Sequence, residues 1–169
     1  GDGGFHEWRH VVADIDSGVE HLVTKGIVDP KRVCIVGWSF GGYAALISAL
    51  ENPERYRCVV SVAGVTHPAQ LVKDVWRYNF LEKQEVREFV PTKGEDVVQG
   101  SPLKRAKEMP VPVQLFHGDR DLNVHVDHSR DLENALRKAG KRVDYVEYEG
   151  ADHSIRRQRH RIEMFQRMG

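Results

Sequence analysis

The chain has 169 residues, of which 40% are hydrophobic and 30% are charged, and its 25 basic side chains balance 25 acidic ones. This length and composition are those of one globular domain and argue against a disordered chain. There is no basic excess to collect phosphates and no apolar run near the roughly 20 residues that cross a bilayer, so we expect neither a nucleic-acid nor a membrane partner.

Helical and strand patterns alternate along the chain. Apolar residues at helical spacing predict four helices, at residues 10–25, 41–50, 127–139 and 155–168. Short runs rich in Val and Ile predict three buried strands, at residues 32–38, 57–63 and 111–116. Residues 143–148 alternate and predict a fourth strand nearer an edge. This alternation is typical of an α/β fold with a parallel sheet and crossover helices.

One long segment interrupts the alternation. Residues 66–109 are mixed polar and aromatic sequence between two predicted strands, and they are too many for a simple connection. A segment of this kind at the carboxyl edge of a parallel sheet often forms a substrate pocket. An ordinary packing insertion is the alternative, and the sequence leaves both open.

Two cysteines, Cys34 and Cys58, fall in the first two predicted strands. Two cysteines do not make a disulfide framework for a chain of this length, and there is no Cys-x-x-Cys pair. We interpret both as small buried hydrophobic residues rather than as redox groups or metal ligands.

The sharpest motif is Gly37-Trp38-Ser39-Phe40-Gly41-Gly42, which matches Gly-x-Ser-x-Gly. It lies between a predicted strand and a predicted helix, where such a serine occupies a tight turn with its hydroxyl above the sheet. Glycines let the strand and the helix approach closely, and the amides of the helix N-terminus face the place where an oxyanion forms. The alternative is a glycine-rich turn with an incidental serine, which this context disfavours.

A serine nucleophile needs a base and an orienting acid. In the fold built on this turn both follow the serine along the chain, and the acid precedes the histidine. Two polar segments follow later predicted strands, namely His117-Gly118-Asp119-Arg120-Asp121-Leu122-Asn123-Val124 and Glu149-Gly150-Ala151-Asp152-His153-Ser154. The carboxyl ends of parallel strands share one edge, so Ser39, an aspartate near 121 and His153 can converge. The sequence therefore predicts a Ser-Asp-His triad.

These motifs together resemble the prolyl oligopeptidase family of serine peptidases. The resemblance rests on residues 37–43, on His117-Gly118-x-x-Asp121-x-x-Val124 and on Glu149-Gly150-x-x-His153, with similar stretches at 1–8 and 28–33. It implies an α/β-hydrolase fold in which this chain holds the last four of the usual eight strands. We therefore expect residues 1–169, which begin on glycine, to be the C-terminal part of an N-terminally truncated catalytic domain.

The resemblance also implies a role for each motif residue. Ser39 is the nucleophile and His153 the general base, and the family spacing selects Asp121 over Asp119 as the acid. The backbone N–H of Phe40 supplies one oxyanion donor. The family's second donor is a tyrosine upstream of these residues.

Four further residues are candidates for substrate contact. Asn123 and Val124 align with positions that line the carbonyl and first specificity pockets in dipeptidyl peptidase relatives. Trp76 and Tyr78 are aromatic residues of the 66–109 segment, where they would form pocket walls. Core packing is the alternative for Trp76 and Val124.

No cofactor is expected. His125 and His128 have a spacing that suggests a metal pair, but no third ligand accompanies them, so we interpret them as polar residues that open a helix. No nucleotide or flavin motif is present either.

The sequence thus predicts a serine hydrolase that cleaves peptide bonds through an acyl-enzyme, as dipeptidyl, acylaminoacyl and oligopeptidases do. A carboxylesterase or acyl esterase with the same triad is one alternative, and a non-catalytic interaction module is another. The expected partner is a peptide or ester substrate. Strand 32–38 would lack its usual neighbour, so we also expect self-association through an exposed sheet edge.

Overall fold

The computed structural model describes residues 4–78 and 89–169, without the side chains of residues 75–78. Within this part of the chain the predicted strands form one parallel sheet. They are β1 (Cys34–Trp38), β2 (Cys58–Val62), β3 (Val113–Gly118) and β4 (Val143–Tyr148). The spatial order is the chain order, β1-β2-β3-β4, which confirms the predicted α/β architecture.

Helices flank the sheet and connect its strands. They are α1 (Trp8–Thr24), α2 (Phe40–Glu51), α3 (Pro68–Tyr78), α4 (Asp96–Gln99), α5 (Asp127–Lys138) and α6 (Gln158–Met168). The last helix begins after the predicted residue 155, because Ile155 has a φ of 43° and is fully buried. None of the helices in the described ranges is both long enough and apolar enough to cross a membrane.

The sheet has a hydrophobic core on each face. The larger one packs α1, α2 and α5 against the sheet, and it includes Leu46 of α2 and Leu132 of α5. The smaller one places Phe116 of β3 beside Ile155 and Met164. Because both faces are covered, the inner strands are continuous apolar runs rather than alternating ones.

The segment between β2 and β3 is anchored on α2 by a partly buried ion pair and a buried hydrogen bond. Arg105 is 9% exposed and forms ion pairs with Glu51 of α2 and with Glu108, at 2.5 and 2.8 Å. The Tyr43 hydroxyl donates to the carbonyl oxygen of Gly100 at 3.0 Å. The later part of this segment therefore packs on the helix that follows Ser39. A pocket-forming role for residues 66–109 stays a prediction, since residues 79–88 lie outside the described part.

The interpretation of the two cysteines as buried hydrophobic residues is wrong. Cys34 is exposed and Cys58 is half-buried. The two residues are register partners in β1 and β2, with Cα atoms 4.7 Å apart, and a disulfide joins them. Their sequence separation of 24 does not reveal this pairing, because only the register of the two strands places them opposite each other.

Strand β1 lies at one end of the sheet, so among the described residues it has a neighbouring strand on one side only. Val36 at its centre is 56% exposed, and Ile35 is half-buried. A strand edge with exposed apolar side chains is a template for pairing with another strand. The fold therefore leaves an exposed apolar strand edge beside the turn that carries Ser39.

We propose that residues 1–169 in isolation self-associate through β1, since a second copy is the available strand partner in a pure solution. Val36→Lys places a charge on this edge and should shift the population toward monomer in light scattering. Phe165→Lys on α6 is the control, because Phe165 is similarly exposed, at 64%, but is not on the sheet. A monodisperse monomer of the unmodified chain would contradict this expectation.

Candidate active site

Ser39 occupies the turn between β1 and α2 in a strained backbone conformation. Its φ of 56° and ψ of −121° are unusual for a residue with a side chain. Its N–H donates to the carbonyl oxygen of Val62 in β2 at 2.8 Å. The neighbouring strand therefore holds the serine in this conformation at the carboxyl end of β1.

Two glycines around Ser39 are required by close packing. A Cβ on Gly37 would lie 1.9 Å from the carbonyl oxygen of Gly41, and a Cβ on Gly42 would lie 2.6 Å from the Ser61 hydroxyl. Real Cβ atoms do not approach other atoms so closely, and backbone atoms have little room to move. An added Cβ on Gly41, the second glycine of the Gly-x-Ser-x-Gly motif, would have no atom within 4 Å. The close approach of β1 and α2 therefore depends on Gly37 and Gly42, and the expected role of Gly41 is wrong.

Phe40 is the first residue of α2, so its N–H has no acceptor within the helix. None of the described backbone hydrogen bonds uses this N–H. It lies at the positive end of the helix dipole, directly after Ser39. The Phe40 ring packs against the Phe5 ring at a centroid distance of 5.1 Å, and this contact stabilises the start of the helix. The N–H is therefore available to an oxyanion.

Asp121 follows β3, and its side chain is fully buried. Oδ1 accepts hydrogen bonds from the backbone N–H groups of Asn123 and Val124, at 2.8 and 2.9 Å. Oδ2 lies 2.7 Å from Nδ1 of His153 and 3.2 Å from Nε2 of His117. Burial raises the pKa of Asp121, but the hydrogen bonds from these two histidines and the backbone outweigh burial and hold the pKa well below its usual range. The acid is therefore ionised and oriented at both oxygens.

His153 lies between β4 and α6, with its side chain 19% exposed. An ionised carboxylate only accepts hydrogen bonds, so the Nδ1 that faces Asp121 carries the ring proton. In the neutral ring Nε2 is then a free base. The backbone carbonyl oxygen of His153 accepts a hydrogen bond from the Trp38 indole N–H at 3.0 Å. This bond connects the loop that carries His153 to the residue before Ser39. Among the described hydrogen bonds none joins the Ser39 hydroxyl directly to His153.

Asp119, the alternative acid, has a different contact. Its Oδ1 accepts a hydrogen bond from the N–H of Gly150 at 2.6 Å, and the N–H of Arg120 donates to the carbonyl oxygen of Ala151 at 3.0 Å. A Cβ on Gly118 would lie 2.3 Å from that same carbonyl oxygen. The loops after β3 and β4 therefore pack closely together, and Asp119 holds them rather than orienting His153.

The residues predicted to contact substrate differ in their positions. Val124 is 4% exposed and belongs to the larger core, and its N–H contributes to the site by donating to Asp121. Asn123 is exposed beside Asp121. The backbones of Trp76 and Tyr78 belong to α3, but their side chains lie outside the described part. Substrate contact by these four residues stays a prediction.

His128 opens α5 near its predicted start but is fully buried. Its Nδ1 accepts a hydrogen bond from the N–H of Thr66 at 3.1 Å, and its Nε2 lies 3.3 Å from Oδ2 of Asp74. This pair connects α5 to α3. Within residues 4–78 and 89–169, no group of three or more side chains could hold a metal ion.

Two residues beside the predicted triad were missed by the sequence analysis. Trp38 occupies a variable position of the serine motif, and His117 is only the first residue of the segment that contains Asp121. Trp38 contacts a residue 115 positions away in the chain, so its partner cannot be found from local spacing. The useful signal for His117 is its position directly after the predicted strand 111–116, which the structure extends to Gly118.

The fold, with this strained serine at a strand–helix turn, is that of an α/β-hydrolase, and solved structures agree. A Mycobacterium tuberculosis puromycin-hydrolyzing peptidase has a TM-score of 0.82 and 25% identity, covering 92% of this chain and 24% of that one. A Pyrococcus horikoshii acylaminoacyl peptidase has a TM-score of 0.79 and 25% identity, covering 93% and 26%.

Sequence comparison confirms the resemblance. A sequence model of the prolyl oligopeptidase family matches residues 5–169, and the chain belongs to that family. It is 28% identical to dipeptidyl peptidase family member 6 of Caenorhabditis elegans, covering 95% of this chain and 23% of that protein. It is 30% identical to human dipeptidyl peptidase 8, covering 86% and 16%. The chain thus spans about a quarter or less of the length of these relatives.

Proposed function

We propose that this chain carries the catalytic triad of a serine peptidase, with Ser39 as nucleophile, His153 as general base and Asp121 as the acid. The observation that carries the proposal is the 2.7 Å contact between Nδ1 of His153 and Oδ2 of Asp121. It lies at the sheet edge where Ser39 is held in a strained conformation, and the Trp38 indole joins that turn to the His153 backbone.

The chemistry follows from the positions of the protons. His153 Nε2 takes the proton of the Ser39 hydroxyl as Oγ attacks the substrate carbonyl carbon, and the carbonyl electrons move to its oxygen. The Phe40 N–H donates to this oxyanion. The oxyanion collapses and expels the amine, which receives the proton from His153. Water then attacks the acyl-enzyme by the same route and releases Ser39.

Two features of Asp121 support this sequence of steps. Its ionised form keeps the His153 proton on Nδ1, so that Nε2 faces the reaction as a base. It also stabilises the imidazolium that forms when Nε2 takes the proton. Because hydrogen bonds hold the pKa of Asp121 below its usual range, the carboxylate stays charged throughout the pH range in which a histidine titrates.

The relatives favour an amide bond as the substrate. The similar proteins include dipeptidyl peptidases, an acylaminoacyl peptidase and a puromycin-hydrolyzing peptidase. We infer that this site cleaves a peptide bond near one end of a short peptide. The proposal includes a substrate contact from Asn123, and the exposure of this residue next to Asp121 supports it.

A comparison of substrates tests this function. We expect the protein that contains these residues to hydrolyse dipeptidyl or N-acyl-aminoacyl p-nitroanilides, with a larger kcat/KM than for p-nitrophenyl acetate. Hydrolysis of the ester alone would overturn the peptidase assignment in favour of an esterase. Hydrolysis of neither substrate, together with no covalent labelling of the serine, would indicate a non-catalytic interaction module.

A further inference from the structure

A second histidine contacts the carboxylate that orients His153. His117 lies in β3 and is fully buried. Its Nδ1 is 2.7 Å from the Ser129 hydroxyl oxygen, and its Nε2 is 2.9 Å from the carbonyl oxygen of Val124. The same Nε2 is 3.2 Å from Oδ2 of Asp121. Both ring nitrogens are therefore engaged, and one of them faces the acid.

The partners of His117 determine where its proton lies. A carbonyl oxygen and an ionised carboxylate only accept hydrogen bonds, so Nε2 must carry a proton. This N–H is shared between Val124 and Asp121. In the neutral ring Nδ1 accepts a hydrogen bond from the Ser129 hydroxyl. Ser129 belongs to α5 and is 1% exposed, so its hydroxyl holds the ring in place from the core side, while the two acceptors at Nε2 select the tautomer.

Among the described residues, one other acidic group faces His117. Glu147 is its register partner in β4. Its carboxylate accepts hydrogen bonds from Arg130 at 2.6 Å and from the Tyr145 hydroxyl at 2.7 Å. The hydrogen bond from Arg130 lowers the pKa of Glu147, so this carboxylate is ionised and already has its partners. Asp121 is thus the acid to which the His117 N–H donates.

We propose that His117 is a positioning residue for the triad, which donates through Nε2 to the oxygen of Asp121 that holds His153. Oδ2 is then fixed from the core side by His117 and from the solvent side by His153. Without the His117 N–H, one lone pair of Asp121 Oδ2 is buried without a hydrogen bond. The carboxylate of Asp121 is then also freer to rotate. The proposal rests on the proposed triad, because it concerns the orientation of the same acid.

Three variants separate positioning from packing. His117→Leu removes the donor, whereas His117→Gln retains an N–H near the position of Nε2. His128→Leu is the matched control, because His128 is equally buried and is hydrogen-bonded through Nδ1, but it does not contact Asp121. All three are compared by thermal unfolding, by kcat and KM on a hydrolysed substrate, and by the low-field proton resonance of the His153 N–H that faces Asp121.

We expect His117→Leu to lower kcat by about 10- to 100-fold with little change in KM, the equivalent of one hydrogen bond to a charged group. It should also shift or broaden the low-field resonance, and His117→Gln should recover most of both. His128→Leu should lower the melting temperature but leave kcat and the resonance unchanged.

A kcat and a resonance that stay unchanged in His117→Leu, with only a lower melting temperature, would show that His117 merely packs in the core. The resonance reports on the Asp121–His153 contact without any turnover. A protein that hydrolyses nothing would therefore refute the proposed function, while the resonance would still decide the role of His117.

Discussion

Ser39→Ala is expected to abolish covalent labelling by a fluorophosphonate probe and to lower kcat by on the order of 10⁶-fold. The probe reacts only with an activated hydroxyl, and in the proposed mechanism Ser39 alone is activated by His153. Alanine keeps a Cβ, so it fits the same backbone at a φ of 56° without a new clash. The variant should fold like the unmodified protein, which circular dichroism and thermal unfolding can verify.

Ser154→Ala is the control for this experiment. Ser154 directly follows His153 and is exposed, so it is the serine whose labelling would most easily be mistaken for that of Ser39. It should label at the rate of the unmodified protein. Equal labelling of Ser39→Ala and the unmodified protein would mean that another residue is the nucleophile.

Asp121→Asn is expected to lower kcat by about 10⁴-fold with the fold retained. The oxygen of the new amide can keep the two backbone N–H donors that now bind Oδ1 of Asp121. Its NH₂ group then faces Nδ1 of His153 and Nε2–H of His117. Because two donors cannot bind each other, the ring proton of His153 must lie on Nε2 instead of Nδ1. A protonated Nε2 can no longer accept the proton of Ser39.

The same substitution should change the pH dependence of stability. The pKa of Asp121 in the folded protein is below its ordinary value of 3.8, so its ionised form stabilises the fold above that pH. This contribution is lost as the pH falls from about 4 toward the folded-state pKa. The free energy of unfolding of Asp121→Asn should therefore depend less steeply on pH below about 4, as measured by urea denaturation.

Asp119→Asn is the matched control for Asp121→Asn. The amide oxygen can still accept the hydrogen bond from Gly150, so both stability and kcat should stay close to those of the unmodified protein. If Asp121→Asn kept kcat within tenfold while Asp119→Asn lost it, the acid would be Asp119 and the assignment would be wrong.

Much of this architecture could be predicted because local patterns report it. Both bounds of β4 agree with the predicted residues 143–148, and α5 begins at the predicted residue 127. The serine motif predicted a tight turn, and Ser39 has the strained φ that such a turn requires. A strand that is buried on both faces is a short apolar run, whichever strands lie next to it in the sheet. The order of strands and helices can therefore be predicted from local apolar patterns.

Other features were wrong or missing because they depend on partners far along the chain. The disulfide between Cys34 and Cys58 follows from strand register. The hydrogen bond from Trp38 to the His153 carbonyl oxygen forms because the loop between β4 and α6 reaches the carboxyl end of β1. For β1 the apolar run predicted a buried strand, whereas the resemblance predicted an exposed edge, and the 56% exposure of Val36 agrees with the resemblance. Neither the disulfide nor the Trp38 hydrogen bond can be predicted from apolar periodicity or from the spacing of motif residues.

By itself, the sequence determined the α/β order, the turn that holds Ser39 and the strand ends after which Asp121 and His153 lie. These depend on short-range backbone preferences and on apolar periodicity, which are properties of neighbouring residues. The resemblance to the family selected Asp121 over Asp119, but only the tertiary structure decided their contacts. Asp121 Oδ2 faces His153, Asp119 binds the next loop, and His117 reaches the same Asp121 oxygen from the core. Those choices are made by loop packing and side-chain direction, because two acids two residues apart differ only in what surrounds them.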